Sequence, residues 1–286
     1  MPRNEITSDL SRRAMLLSLG AAALPALAKT GNVELGVCGS IENFAKAEQY
    51  EFDYYEPAVA ALSVLSNDAF SDFSKKVHAS RLRCKRFNSF IRTLQVVGTN
   101  VDKEALTAYM KAALDRCREL GASIIVWGSA GSRNVPEGYS RDVAWEQIKT
   151  FLKYAGDIAG ERNLIVAIEP LRKQESNIIN TGAEALRLVR DVNHPHVKMI
   201  IDYYHLRVEK EDPSILRTAR EHIVHLHFAN PAGRRWPHSA DEDPVYAQFF
   251  EMMKQVDYRG GLSIEGNGTF EADATASLEF FKKELA

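Results

Sequence analysis

From Val33 onward the chain alternates: short runs rich in β-branched and apolar residues recur, and longer amphipathic stretches fill the intervals. Leu164-Ile165-Val166-Ala167-Ile168 and Met199-Ile200-Ile201 contain no polar residue. A strand with one wet face would alternate, so these runs read as parallel strands covered on both sides. Repeated strand–helix units of this kind build a parallel sheet. We place strands at Glu34–Cys38, Phe52–Glu56, Phe90–Val96, Ser123–Trp127, Leu164–Glu169, Val197–Asp202, Ile223–Phe228 and Gly261–Glu265. Eight such units match a (β/α)8 barrel, an α/β fold of typically about 250 residues. Between them, Lys103–Leu120 repeats Leu106, Met110, Ala113, Leu114, Cys117 and Leu120 at helical spacing and stops at Gly121. Thr181-Gly182-Ala183-Glu184 is a capping box that opens another helix. An open, doubly wound sheet would alternate in the same way. The polar residues favour the barrel: strands five to eight each finish in a charged or metal-capable side chain, and a barrel brings such ends to one mouth.

The barrel domain spans residues 33–286 as one unit, without linker, charge run or low-complexity tract. Ahead of it, Ser11-Arg12-Arg13-Ala14-Met15-Leu16-Leu17 precedes a mildly apolar stretch that closes on Ala26-Leu27-Ala28. Residues 1–28 resemble a twin-arginine signal peptide cleaved after Ala28, which implies export, with the bacterial periplasm as destination. The apolar run is shorter than a membrane span needs and is interrupted by Gly20 and Pro25, so no stable membrane insertion is expected after processing.

Composition narrows the function classes. Lys and Arg number 36 against 38 Asp and Glu, a formal charge of −2, so there is no cationic surplus to neutralise a phosphate backbone and no nucleic-acid partner is expected. The three cysteines, Cys38, Cys84 and Cys117, contain no CxxC pair and support neither a disulfide framework nor a thiolate zinc site. Any metal must therefore find oxygen and imidazole ligands.

Four strand ends supply them: Ile168-Glu169-Pro170, Ile201-Asp202-Tyr203-Tyr204-His205, His225-Leu226-His227-Phe228 and Ile264-Glu265-Gly266, each about one strand–helix period from the next. One ligand from each, Glu169, Asp202, His227 and Glu265, gives three carboxylates and one imidazole. That is a hard, anionic pocket for a single divalent ion, Mn²⁺ first, with Mg²⁺ or Co²⁺ as alternatives; catalytic zinc more often uses richer nitrogen ligation. His225 is read as facing the opposite side of its strand from His227, as a packed histidine or one that supports the ligands. Trp127, Tyr54 and Glu56 end earlier strands and are candidates for the substrate pocket wall, with core packing as the alternative. Cys38 also falls at a strand end, but no neighbouring cation marks it as a nucleophile.

From about residue 33 to its end the chain resembles the sugar isomerase/epimerase family on the xylose-isomerase-like TIM barrel, which also holds hydroxypyruvate isomerase, ketose 3-epimerases, inosose dehydratases and endonuclease IV. The resemblance implies that Glu169, Asp202, His227 and Glu265 are metal ligands. It further implies that His205, three residues beyond Asp202, and Arg234, in Gly233-Arg234-Arg235-Trp236-Pro237, contact the substrate. The implied activity is a metal-dependent isomerase or epimerase of a ketose or keto-sugar acting through an enediolate, with Glu169 and Glu265 as the acid/base pair. The substrate is expected to be unphosphorylated, because no Gly-rich phosphate loop follows strands seven and eight. Elimination from the same enediolate, by a lyase or dehydratase of a keto-sugar, inosose or keto-glycoside, is the alternative. A non-catalytic sugar-binding barrel would lack a reason to keep both glutamates. The DNA-repair branch takes histidines from the ends of strands two and three, where none occurs here. Relatives of this kind often assemble, so a homo-oligomer is an expectation of the resemblance.

Overall fold

The computed structural model describes residues 33–286; the expected export signal lies outside the described residues. Nine parallel strands form one sheet: β1 (Glu34–Gly39), β2 (Tyr54–Pro57), β3 (Arg83–Cys84), β4 (Arg86–Phe87), β5 (Ile124–Trp127), β6 (Ile165–Ile168), β7 (Val197–Asp202), β8 (Ile223–Phe228) and β9 (Gly261–Ile264). Their order is β3-β2-β1-β9-β8-β7-β6-β5-β4. β3 and β4 are two halves of one strand position, broken at Lys85: the first half pairs with β2 and the second with β5. The ring closes where Asn88 N donates to Pro57 O (3.2 Å) and Ala58 bridges Asn88. This is the eight-position barrel, with the helices outside.

The third strand is a correction. It was expected at Phe90–Val96 and lies at Arg83–Phe87, because that segment is half charged and gives no apolar run. Arg86 is nonetheless buried inside the ring, its Nη2 donating to Glu34 Oε2 (2.9 Å) and its guanidinium 4.1 Å above the Tyr54 ring. Gly261 makes the space, since a Cβ there would lie 2.4 Å from Arg86 Cζ. Phe90, Ile91, Val96 and Val97 are buried in a loop instead. The corrected strand end, Arg86-Phe87-Asn88-Ser89, also lacks histidine.

The outer helices begin at polar caps. Ser66, Asp102, Ser140, Thr181 and Thr269 each accept a backbone N–H from three residues on, which satisfies one orphan donor of the first turn. Helix Lys103–Glu119 buries Leu106, Met110, Ala113, Leu114 and Cys117, the stripe its spacing predicts. Asp202 caps in the same manner: its Oδ1 accepts His205 N (3.1 Å) and opens the short helix Tyr203–Val208 straight off β7. Behind β8, Phe228 stacks on Tyr203 at 4.4 Å and meets Tyr246, Phe249, Phe250, Phe280 and Phe281, so the strand that carries His227 is clamped by aromatic packing. Among the described residues, no helix is long and apolar enough to cross a membrane.

Candidate metal centre

Register places the four candidate ligands. Asp202 is opposite His227 across the β7–β8 ladder, and His227 is opposite Ser263 across β8–β9. Glu169 and Glu265 each sit one residue past their strands, tied back by Glu169 N to Trp127 O (3.2 Å) and Glu265 N to Phe228 O (3.0 Å). The structure brings Glu169, Asp202, His227 and Glu265 together, one donor atom of each lying within 4.8 Å of all the others. His227 Nδ1 is 3.1 Å from Glu169 Oε1 and 3.5 Å from Glu265 Oε2. Gly128, after β5, leaves the room: a Cβ there would lie 2.0 Å from Glu169 Oε2.

Arg234 reaches the same centre. Its Nη2 donates to Glu265 Oε2 (2.5 Å) and lies 3.7 Å from Asp202 Oδ2, and its Nη1 is 3.5 Å from Glu175 Oε1. Its backbone has φ +51°, a strained conformation for a non-glycine residue in a functional loop. His205 is fully buried. Arg172 N donates to its Nδ1 (3.2 Å), so the neutral ring carries its proton on Nε2, which points toward Asp202 Oδ2 at 3.7 Å. Neither His205 Nε2 nor Asp202 Oδ2 has a hydrogen-bond partner among the described residues. Buried polar atoms are normally paired, and two orphans facing one point indicate a missing guest.

The charge balance agrees. Burial raises the Glu169 carboxyl, aided by Glu265, and burial pushes Asp202 up to about 6 against the pull of Arg234. Burial also opposes ionisation of Glu265, but His227 and Arg234 outweigh it and hold that carboxyl down to about 2. Burial disfavours the His227 imidazolium, yet Glu56 and the other acidic groups raise its pKa well above the usual imidazole range. Burial of three carboxylates around one imidazole thus favours positive charge at this point. Three carboxylates, one imidazole and an orphaned carboxylate oxygen fit a divalent ion of the hard or borderline kind.

Above the centre a cavity of about 600 Å³ opens at the C-terminal end of the barrel, lined by Ser89, Arg92, Glu169, Glu175, Arg234 and Asn267 among others. Tyr54 and Trp127 do not line it, which corrects their placement on the pocket wall. The Tyr54 ring turns inward across Gly36, where a Cβ would lie 2.1 Å from its Cζ, and its hydroxyl pairs with Ser263 Oγ at 2.7 Å. Trp127 packs on Phe151 and donates from Nε1 to Ser132 Oγ (3.2 Å). His225 is a further correction: it faces the same side as His227, with ring centroids 4.9 Å apart, because residues two apart on a strand share a face. Burial pushes the His225 imidazolium down to about 4. Burial raises the Cys38 thiol well above its usual range, so it is no thiolate nucleophile.

Sequence reasoning left three participants unassigned. Glu175 follows Glu169 in a loop that gives no periodicity to read, yet faces Arg234. Arg133 is wholly buried and donates to Trp127 O (3.0 Å) and Glu169 O (2.7 Å), which pins the ends of β5 and β6; burial holds its pKa down to about 10. Glu56, named only as a candidate for the wall, lies inside the barrel at 2.9 Å from both His225 Nε2 and His227 Nε2.

Comparison with known proteins places this arrangement. Over 79% of its length the chain is 25% identical to L-ribulose 3-epimerase of Methylomonas sp., covering 78% of that protein. Over 57% it is 28% identical to 3-dehydro-D-guloside 4-epimerase of Escherichia coli, covering 64% of it. Among solved structures, D-allulose 3-epimerase from Methylomonas sp. superposes with a TM-score of 0.76 at 21% identity, over 90% of this chain and 99% of that one. The 3-keto-D-glucoside 4-epimerase of E. coli gives 0.74 at 20% identity, over 88% and 99%; both show the shared fold. Residues 44–284 match the family model described as the xylose isomerase-like TIM barrel, and the chain belongs to that family.

Proposed function

We propose that the protein is a divalent-metal-dependent sugar epimerase that acts on an unphosphorylated ketose or keto-sugar. The observation that carries this reading is the convergence of Glu169, Asp202, His227 and Glu265 at the floor of the cavity, beside two orphaned buried polar atoms. The similarity to 3- and 4-epimerases of sugars supports it. Glu169, Asp202, His227 and Glu265 would hold the ion; when bound, it would polarise a substrate carbonyl and acidify the neighbouring C–H bond.

The chain's own residues supply the rest. Glu169 and Glu265 extend from β6 and β9, three positions apart in the ring, so their carboxylates flank the floor from different sides. One takes the proton from carbon and the other returns a proton to the opposite face, which inverts that centre. Return to the adjacent carbon would instead be aldose–ketose isomerisation. The Nε2–H of neutral His205 donates to a substrate oxygen, and Arg234, braced by Glu175 and Glu265, offers a guanidinium above the same atoms. Elimination is the second reading. The cavity lies in the range that holds multi-ring ligands, so a keto-glycoside with a leaving group has room there. The amino-terminal segment, residues 1–28, is proposed to export the folded enzyme to the periplasm; fractionation of the tagged chain, with Arg12 and Arg13 replaced by Lys, tests that point.

The deciding experiment incubates Mn²⁺-loaded protein in D₂O with a panel of ketoses and 3-keto-glycosides. Deuterium at a carbon beside the carbonyl is expected. Its absence from every member, with Mn²⁺ stoichiometrically bound, would overturn the reading, and a loss of substrate mass would assign elimination.

A further inference from the structure

Below the four ligands the barrel interior holds a carboxylate to which the proposed reaction assigns no step. Glu56, at the end of β2, is fully buried. Its Oε1 lies 2.9 Å from His227 Nε2, and its Oε2 lies 2.9 Å from His225 Nε2 and accepts from Ser263 Oγ at 2.6 Å. Ser263 Oγ in turn takes a hydrogen bond from the Tyr54 hydroxyl (2.7 Å), and Tyr54 is wedged between Gly36 and the Arg86 guanidinium. Side chains from two strands, β8 and β9, thus hold both oxygens of the carboxylate.

The consequence falls on His227. A neutral imidazole has one lone pair and one N–H, and a neighbour that can only accept fixes the N–H on the nitrogen it faces. Glu56 faces Nε2. The lone pair is then on Nδ1, the nitrogen that looks at Glu169 and Glu265. Without that acceptor the neutral ring can keep its one N–H on Nδ1, between the two glutamates, and then has no lone pair there for a cation. We propose that Glu56 is a positioning residue for the cation site. It fixes the ring orientation and the ligating nitrogen of His227, with Ser263 and Tyr54 holding it in place. The inference rests on the reading that the four residues above bind a divalent ion.

The test measures Mn²⁺ binding directly, by the electron paramagnetic resonance of free Mn²⁺ in titrations of chelator-stripped full-length protein. Partners of metal-bound histidines typically change affinity by about 10- to 100-fold when replaced. Glu56→Gln keeps the shape but can turn its NH₂ toward His227 Nε2, where it repels the ring N–H in place of accepting it, so its Mn²⁺ affinity is expected to fall by that factor. Its activity should return as Mn²⁺ is raised to saturation, and the melting temperature of the stripped variant should stay close to that of the stripped parent. Affinity within twofold of the parent would overturn the proposal, as would weaker binding fully matched by loss of folded protein in the stripped state. If Glu56→Gln does not fold, Ser263→Ala decides, since it removes the hydroxyl that donates to Glu56 Oε2 and leaves the carboxylate: weaker Mn²⁺ binding supports the proposal and unchanged binding overturns it. Failure of the parent protein to bind Mn²⁺ would instead remove the reading on which the inference stands.

Discussion

The inner wall of the barrel has two unlike halves. On β5, β6 and β7 the inward residues Ile124, Val126, Ala167 and Ile200 form a small apolar cluster. On β2, β4, β8 and β9 the corresponding space holds Tyr54, Glu56, Arg86, His225 and Ser263, linked by hydrogen bonds and a cation–π contact. The first half is ordinary close packing, whose failure mode is a cavity. The second is a buried polar network, which specifies a unique arrangement only while each member is satisfied. The proposed metal centre straddles them: Glu169 and Asp202 rise from the apolar half, His227 and Glu265 from the polar half. Two ligands are therefore placed by packing and two by hydrogen bonding.

The strongest break in this comparison is at the ligands themselves. Glu265→Gln keeps volume and one coordinating oxygen but cannot carry a proton, so turnover should fall by about 10²- to 10⁴-fold. Metal content, read by elemental analysis, should change far less, and thermal stability little. Asp202→Asn should do the reverse, losing ion retention first. Full activity in Glu265→Gln at equal metal content would reassign the proton carrier.

Next in size is the apolar half. Ile124→Ala should cost about 2–5 kcal/mol of stability, read from the urea midpoint, because the surrounding strands cannot collapse onto the void. Its Mn²⁺ affinity should match the parent's. On the polar half, His225→Phe fills the space but takes a partner from Glu56, while Gly261 O keeps its bond from the Tyr258 hydroxyl (2.8 Å). About 1–3 kcal/mol of stability should be lost there, together with Mn²⁺ affinity. Equal effects of the two changes on Mn²⁺ binding would erase the distinction between the halves.

Gly128→Ala probes the boundary. The added methyl would overlap Glu169 Oε2 and force that carboxylate aside. A displacement of this kind should lower kcat/KM by roughly tenfold or more with a small change in melting temperature. Parent-like kinetics would show that Glu169 has slack in its position.

What could be read from the sequence follows the same division. Apolar strands such as Leu164–Ile168 announce themselves, and the carboxylates that end them stand out against the run; Glu169 and Asp202 are legible for that reason, whereas His227 and Glu265 are read from their spacing at the following strand ends. The strand Arg83–Phe87 was hidden because it belongs to the polar half, where Arg86 is buried by virtue of Glu34 and Tyr54, partners remote in sequence. Tyr54 turns inward because Gly36 on the neighbouring strand leaves a gap, a fact of register that a single segment does not contain. The side of His225 is different: two residues from His227, it had to share that face, and the alternation rule alone decides it.

The smallest effect concerns protons. In the metal-free protein Asp202 is raised to about 6 and His227 well above its ordinary value, so both are protonated below pH 6. A carboxyl raised above its unfolded value of 3.8 binds protons more tightly in the native state. By itself it therefore makes the metal-free fold less stable as pH climbs from about 4 to about 6, with the change complete above that. Glu265, lowered to about 2, acts in the opposite sense: its contribution is present above its unfolded value and is lost only as pH falls toward 2. A cation entering the centre must displace the protons that are there. Binding should release more protons per Mn²⁺ below pH 6, where Asp202 holds a proton, than above it, where Asp202 has lost its own. Affinity should accordingly climb more steeply with pH in the lower interval. Isothermal titration in buffers of different ionisation enthalpy counts those protons. A pH-independent affinity between 5 and 8 would mean that Asp202 is already deprotonated and His227 already neutral before the ion arrives.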